Sequence, residues 1–191
     1  MEEKKNLTNE ESLDIILGMI NQAKVNIKQS SFHLLLWGWV IFAASISHFY
    51  LLKFTSIENP EYAWGLTLPA MAVSMVYGSI MGRKAKTTTY ADKLYMFVWM
   101  GFIISLIILL VFTEEEGVPI ILLLTGYATF LSGNILKFKP LIVGGILFWL
   151  FAILSFILAN EYILLISGIS VLTGYLVPGY MLKYKVKDVT F

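Results

Sequence analysis

The chain has 191 residues, of which 58% are hydrophobic and 14% charged, and its net charge is +1. Soluble domains carry about 45–50% apolar and about 25% charged residues, so this composition excludes an ordinary water-soluble enzyme, a disordered tail and a basic nucleic-acid binder. No cysteine occurs, which excludes disulfides, thiol catalysis and cysteine-based metal centres.

Residues 8–29 read as an amphipathic helix. Thr8 and Glu11 stand at capping-box spacing, where hydroxyl and carboxylate satisfy free amides of the first turn. Leu13, Ile16, Leu17, Ile20 and Ile27 recur at helical spacing and form one apolar stripe. Glu10, Glu11, Asp14, Asn21, Gln22 and Lys28 fall elsewhere. The acidic first turn disfavours tight binding to anionic lipid, because surface helices that bind such lipid are usually basic. The stripe either lies on the inner membrane surface, packs on the cytoplasmic loops, or docks a cytoplasmic protein partner or a second copy of the chain.

Beyond this helix, the positions without Asp, Glu, Lys or Arg form six long runs: residues 29–52, 62–82, 94–113, 117–136, 140–160 and 162–182. Each is 20–24 residues long. A helix rising 1.5 Å per residue needs about 20 apolar residues to cross ~30 Å of hydrocarbon. Backbone amides in lipid must be paired within the segment, so each run is expected to be a helix. The predicted fold is an all-α membrane protein with six transmembrane helices. Residues 1–30 form a cytoplasmic amphipathic helix, 31–182 the membrane domain and 183–191 a tail. The first run starts after about 30 polar residues without a short basic leader, so the first span itself reads as the targeting element.

Charge order gives the orientation. Of 14 Lys and Arg residues, 13 fall before the first span, in the second-to-third and fourth-to-fifth loops, or in the tail. The other loops hold Lys53 alone, with Glu58, Glu61, Glu114, Glu115, Glu116 and Glu161. Basic residues stay cytoplasmic, so both termini are expected inside.

Three copies of a two-helix hairpin are visible. Trp39, Trp99 and Trp149 each precede a serine by six residues: Ser45, Ser105 and Ser155. The even spans end in related glycine segments around Gly78, Gly133 and Gly179, each followed by a lysine. The copies run in the same direction, as in a parallel repeat.

The odd spans are bulky, whereas the even spans carry small and hydroxylated residues. Thr125, Thr129 and Ser132 share a face of the fourth span, and Ser167, Ser170 and Gly174 a face of the sixth. Gly78 and Gly82 form a GxxxG pair in the second. Small residues permit close helix packing in lipid and hydroxyls can bond across helices, so the even spans are expected inward. The hydroxyl faces fit either ordinary packing or a path for a neutral solute. Pro69 lies near mid-span and is expected to kink the second helix by removing the bond to Gly65; Pro178 does the same to Gly174 in the sixth.

Catalytic chemistry is scarce. His33 and His48 lie about 22 Å apart along one helix, too far to share a metal, and read as interfacial residues. Glu114–Glu116 reads as a solvated loop. No span contains a carboxylate or a basic residue for proton coupling, or a base beside a nucleophile. No phosphate-binding loop, dinucleotide fingerprint or metalloprotease motif occurs. Neither an enzyme, nor a cofactor, nor a metal site, nor a nucleic-acid partner is expected.

The segments Asn9-Glu10-Glu11-Ser12-Leu13, Ser30-Ser31-Phe32-His33-Leu34-Leu35-Leu36-Trp37-Gly38-Trp39 and Ser47-His48-Phe49-Tyr50-Leu51-Leu52 resemble small uncharacterised integral membrane proteins of Bacteroidota. The resemblance covers under a quarter of the chain. It implies a bacterial inner membrane and no mechanism. Two functions stay open: a membrane component that senses, scaffolds or regulates, and a channel or carrier for a neutral or lipid-like solute.

Overall fold

The computed structural model describes residues 9–84, 89–112, 117–158 and 162–188. No strand occurs among them. The helices are α1 (Asn9–Phe54), a 3-10 segment (Pro60–Leu66), α2 (Thr67–Lys84), α3 (Tyr90–Phe112), α4 (Gly117–Ile135) and α5 (Lys139–Ile157). The sixth span is composite: α6 (Ile163–Val171), a π turn (Leu172–Leu176) and α7 (Val177–Asp188). Six stretches are long and apolar enough to cross a membrane, and their bounds follow the charge-free runs within a few residues.

Helix α1 takes in both the amino-terminal arm and the first span. Its 46 residues run without a break through residue 30, where the sequence reading divides the amphipathic helix from the membrane domain. At 1.5 Å per residue it is about 69 Å long, roughly twice the hydrocarbon thickness. No proline or glycine pair interrupts residues 9–54, so nothing in the sequence ends the helix between arm and span.

The packing order runs α2, α1, α6 with α7, α5, α4, α3. Neighbours in this row are antiparallel, as residue pairs show. Ser31 meets Gly179, and Ser45 meets Ser167. Gly126 approaches Trp149, and Gly133 approaches Ile142. The core is built around Phe148, Leu141, Leu122, Ala152, Val171 and Tyr175. The fourth and sixth spans are the most buried, as expected for even spans. The second span is not: it packs on α1 and the 3-10 segment at one edge of the row. No residue of α3 is fully buried, and that helix rests on α4 at the other edge.

Glycine placement explains the tightest contact. A Cβ on Gly145 would lie 2.6 Å from the Phe130 amide nitrogen, and one on Gly133 would lie 2.6 Å from that of Ile142. Only glycine admits α4 and α5 so close together. The expected Gly78/Gly82 pair does no such work, since Gly82 has nothing within 4 Å and faces away from the bundle.

The α4–α5 turn is a Schellman motif. Phe138 N–H donates to the Gly133 carbonyl at 2.9 Å, and Lys137 N–H to that of Asn134 at 3.2 Å. Lys137 takes the left-handed position with φ 50°, where glycine is usual. Helix α3 opens with a capping box: Thr89 N–H donates to Asp92 Oδ2 at 2.8 Å, and Asp92 N–H to Thr89 Oγ1 at 3.2 Å.

Both prolines resolve differently from simple kinks. Pro69 sits in the first turn of α2, directly after the 3-10 segment, where a missing N–H costs little. The second span therefore changes helix type rather than bending in mid-helix. In the sixth span Pro178 cannot donate to Gly174, and the ladder widens. Val177 N–H bonds to the Leu172 carbonyl five residues back, which makes the π turn.

Candidate functional site

The hydroxyl residues proposed for a solute path are buried, but they do not share one wall. On the sixth span, Ser45 of α1 donates to Ser167 Oγ at 3.2 Å, and Ser170 donates to the Ser167 carbonyl at 2.7 Å. On α4, Thr129 donates to the Thr125 carbonyl at 2.6 Å. These hydroxyls return to their own helix or tie it to the next, as polar side chains do in lipid-embedded bundles. Pro69 is exposed on α2, at the edge of the row. The structure thus brings Thr125, Thr129 and Ser132 together on α4, and Ser167 and Ser170 together on α6, and it leaves Pro69 apart from both.

Ser132 differs from the rest. Its Oγ is fully buried and makes no hydrogen bond, and the same holds for the buried Trp99 indole Nε1 on α3. Both lie beside the Tyr95 hydroxyl, which also neighbours Ser30 of α1. One helical turn along α4, Thr129 neighbours the Tyr175 hydroxyl of the sixth span. A polar seam thus joins α1, α3, α4 and the sixth span. The sequence pattern pointed to Ser132 and Thr129 but not to Tyr95, Tyr175 or Ser30. Tyrosine inside an apolar run reads as bulk, and only the fold shows that their hydroxyls converge.

The two histidines connect α1 with the second span. His33 Nδ1 lies 2.8 Å from the Gln29 carbonyl, and its Nε2 lies 3.3 Å from the Ser74 carbonyl on α2. Toward the other end, Trp64 of the 3-10 segment donates to His48 Nδ1 at 3.0 Å. Phe32 stacks on Tyr77 beside His33, with ring centroids 3.7 Å apart. A shallow groove of about 350 Å³ opens there, lined by Phe32, Ala72, Val73, Val76, Tyr77 and Ile80. It faces outward between α1 and α2 and includes none of the hydroxyl residues.

The repeat tryptophans take different partners. Trp39 donates to the Tyr180 hydroxyl at 3.2 Å and Trp149 to the Leu123 carbonyl at 3.2 Å, whereas Trp99 Nε1 makes no well-formed hydrogen bond and its ring packs against Tyr95 and Phe102. In the amino-terminal arm, Leu13 is 60% exposed and Gly18 has nothing within 4 Å. The side chains of Ile16, Leu17, Ile20 and Ile27, the Thr8–Glu11 cap and Glu114–Glu116 lie outside the described residues. No group of three or more His, Cys, Asp or Glu fit to hold a metal occurs among the described residues.

Comparison with known proteins returns no match to the chain, whether with family models, curated proteins or solved structures.

Proposed function

We propose that the chain is a non-catalytic component of a bacterial inner membrane that senses, scaffolds or regulates. Its six spans anchor it, and the arm before Lys28 docks a cytoplasmic protein. The continuity of α1 carries this reading. A helix unbroken from arm to span transmits displacement, whereas a loop between them would absorb it. Leu13, a member of the apolar stripe, is exposed and open to a partner. The bonded hydroxyls of the fourth and sixth spans support an anchoring bundle. The 13 basic residues grouped in alternate loops support cytoplasmic termini. Deleting residues 2–28 is expected to abolish partner recovery in a pull-down while membrane insertion persists. Undiminished recovery contradicts the reading.

One observation favours the second reading, a carrier or channel for a neutral solute. The Ser132 hydroxyl and the Trp99 indole N–H are buried beside the Tyr95 hydroxyl without a well-formed hydrogen bond, and buried polar groups normally find a partner. Thr125→Leu together with Ser170→Leu blocks flux into vesicles on that reading, and equal flux removes it.

A further inference from the structure

The two histidines of α1 present opposite hydrogen-bond requirements to the second span. A neutral imidazole carries one N–H and one lone pair, whereas an imidazolium carries two N–H groups. Both ring nitrogens of His33 face carbonyl oxygens, Gln29 at 2.8 Å on its own helix and Ser74 at 3.3 Å on α2. Carbonyls only accept. A neutral ring satisfies one of them, and the shorter contact, to Gln29, takes the proton. The Nε2 lone pair then faces the Ser74 oxygen across the helix boundary. A second proton turns that contact into a charge-assisted bond between α1 and α2. His48 is the reverse case. Its Nδ1 accepts from Trp64 Nε1 at 3.0 Å, so a proton there removes the acceptor and sets two donors against each other.

We propose that the second span is a proton-responsive element whose attachment to α1 moves from one end to the other. At neutral pH the Trp64–His48 bond holds the 3-10 end. On acidification that bond opens and the His33–Ser74 bond closes. The second span suits such a role because it sits at the edge of the row, packed on α1 and the 3-10 segment. Both histidines lie a few residues inside the ends of the first span, Lys28–Phe54.

The neighbouring titratable groups differ between the two ends. Beside His33 the one titratable side chain in ring contact, among the described residues, is Tyr77 of α2, and the elements packed there also carry Lys28 on α1, Arg83 on α2 and Lys183 on α7. The ring of Tyr77 is centred 6.0 Å from that of His33. At the His48 end Glu61 of the 3-10 segment acts on the ring through space, and the elements packed there also carry Lys53 on α1, Glu58 before the 3-10 segment and Tyr62 within it.

The test is a 15N NMR titration of the full chain in lipid nanodiscs, with histidine and tryptophan labelled, between about pH 8 and 5, the range in which histidine ordinarily changes charge. The expected result has two parts. The His33 ring passes from one protonated nitrogen to two, both hydrogen-bonded. The Trp64 indole resonance shifts in step with His48 and holds still in His48→Gln. Two histidines need a single variant for assignment, and His33→Gln serves if His48→Gln does not fold. A His33 ring that stays singly protonated throughout, or a Trp64 resonance that does not follow His48, overturns the proposal.

Discussion

Gly144 of α5 lies directly against the Gly174 carbonyl of the π turn: a Cβ on Gly144 would come within 2.6 Å of that oxygen. The two residues explain each other. Pro178 deprives the Gly174 carbonyl of its usual helical donor, and the Gly144 Cα fills the space beside it. Gly144→Ala forces α5 away from the sixth span at the centre of the bundle. Overpacking of this kind costs about 1–3 kcal/mol. Gly82→Ala, where nothing lies within 4 Å, is the matched control and gains about 0.5–1 kcal/mol from helix propensity. Thermal unfolding in detergent measures both, and equal effects would count against the packing described.

Lys137 holds the left-handed position of the α4–α5 turn at φ 50°. An L residue pays roughly 1–2 kcal/mol there. Lys137→Gly is expected to raise stability by about 1 kcal/mol without changing the fold. A loss of stability would mean that the lysine head group makes a contact worth more than the backbone strain.

The buried hydroxyls give a prediction of opposite signs. Ser45→Ala and Ser167→Ala each remove a bond between α1 and α6, and a double-mutant cycle is expected to return about 0.6 kcal/mol of coupling. Ser132→Ala removes a buried hydroxyl that has no partner. It should be neutral or stabilising, because the desolvation cost of an unpaired group is typically about 1–3 kcal/mol. If Ser132→Ala is clearly destabilising, its hydroxyl is paired inside the bundle, and the solute-path reading loses the observation that favours it.

The arm can be uncoupled from the first span by one substitution. Gln22→Pro lies in the interior of α1 and costs about 3 kcal/mol of local helix. The substitution lies outside the spans, the first of which begins at Lys28, so insertion and bundle stability are expected to hold while partner recovery falls. Retained recovery would show that the arm needs no continuity with the span to engage its partner.

The charge pattern made the spans legible. Lysine, arginine and the carboxylates cannot enter lipid cheaply, so they mark the ends of all six helices within a few residues. What single-sequence patterns do not encode is which helix meets which. Gly133, Gly144 and Gly145 are no more conspicuous than Gly78 and Gly82, yet only the first three seat a neighbouring helix at its closest approach. The same holds for Pro69 and Pro178. Each reads as a mid-helix break, but one follows a 3-10 segment and the other a π turn, because neighbouring backbone groups decide how a lost hydrogen bond is absorbed. The hydroxyl residues were legible as a set. Their distribution over two separate contacts required the fold.

Cysteine accessibility tests the central claim most directly, since the chain has no cysteine of its own. Leu13→Cys, Glu58→Cys, Glu115→Cys and Lys187→Cys, one at a time, are treated with a membrane-impermeant maleimide in intact spheroplasts. Six spans with the lysine-rich joints inside predict immediate labelling at positions 58 and 115, and labelling at 13 and 187 only after the membrane is opened. Labelling of position 13 or 187 in sealed cells, or equal labelling of all four, contradicts that arrangement.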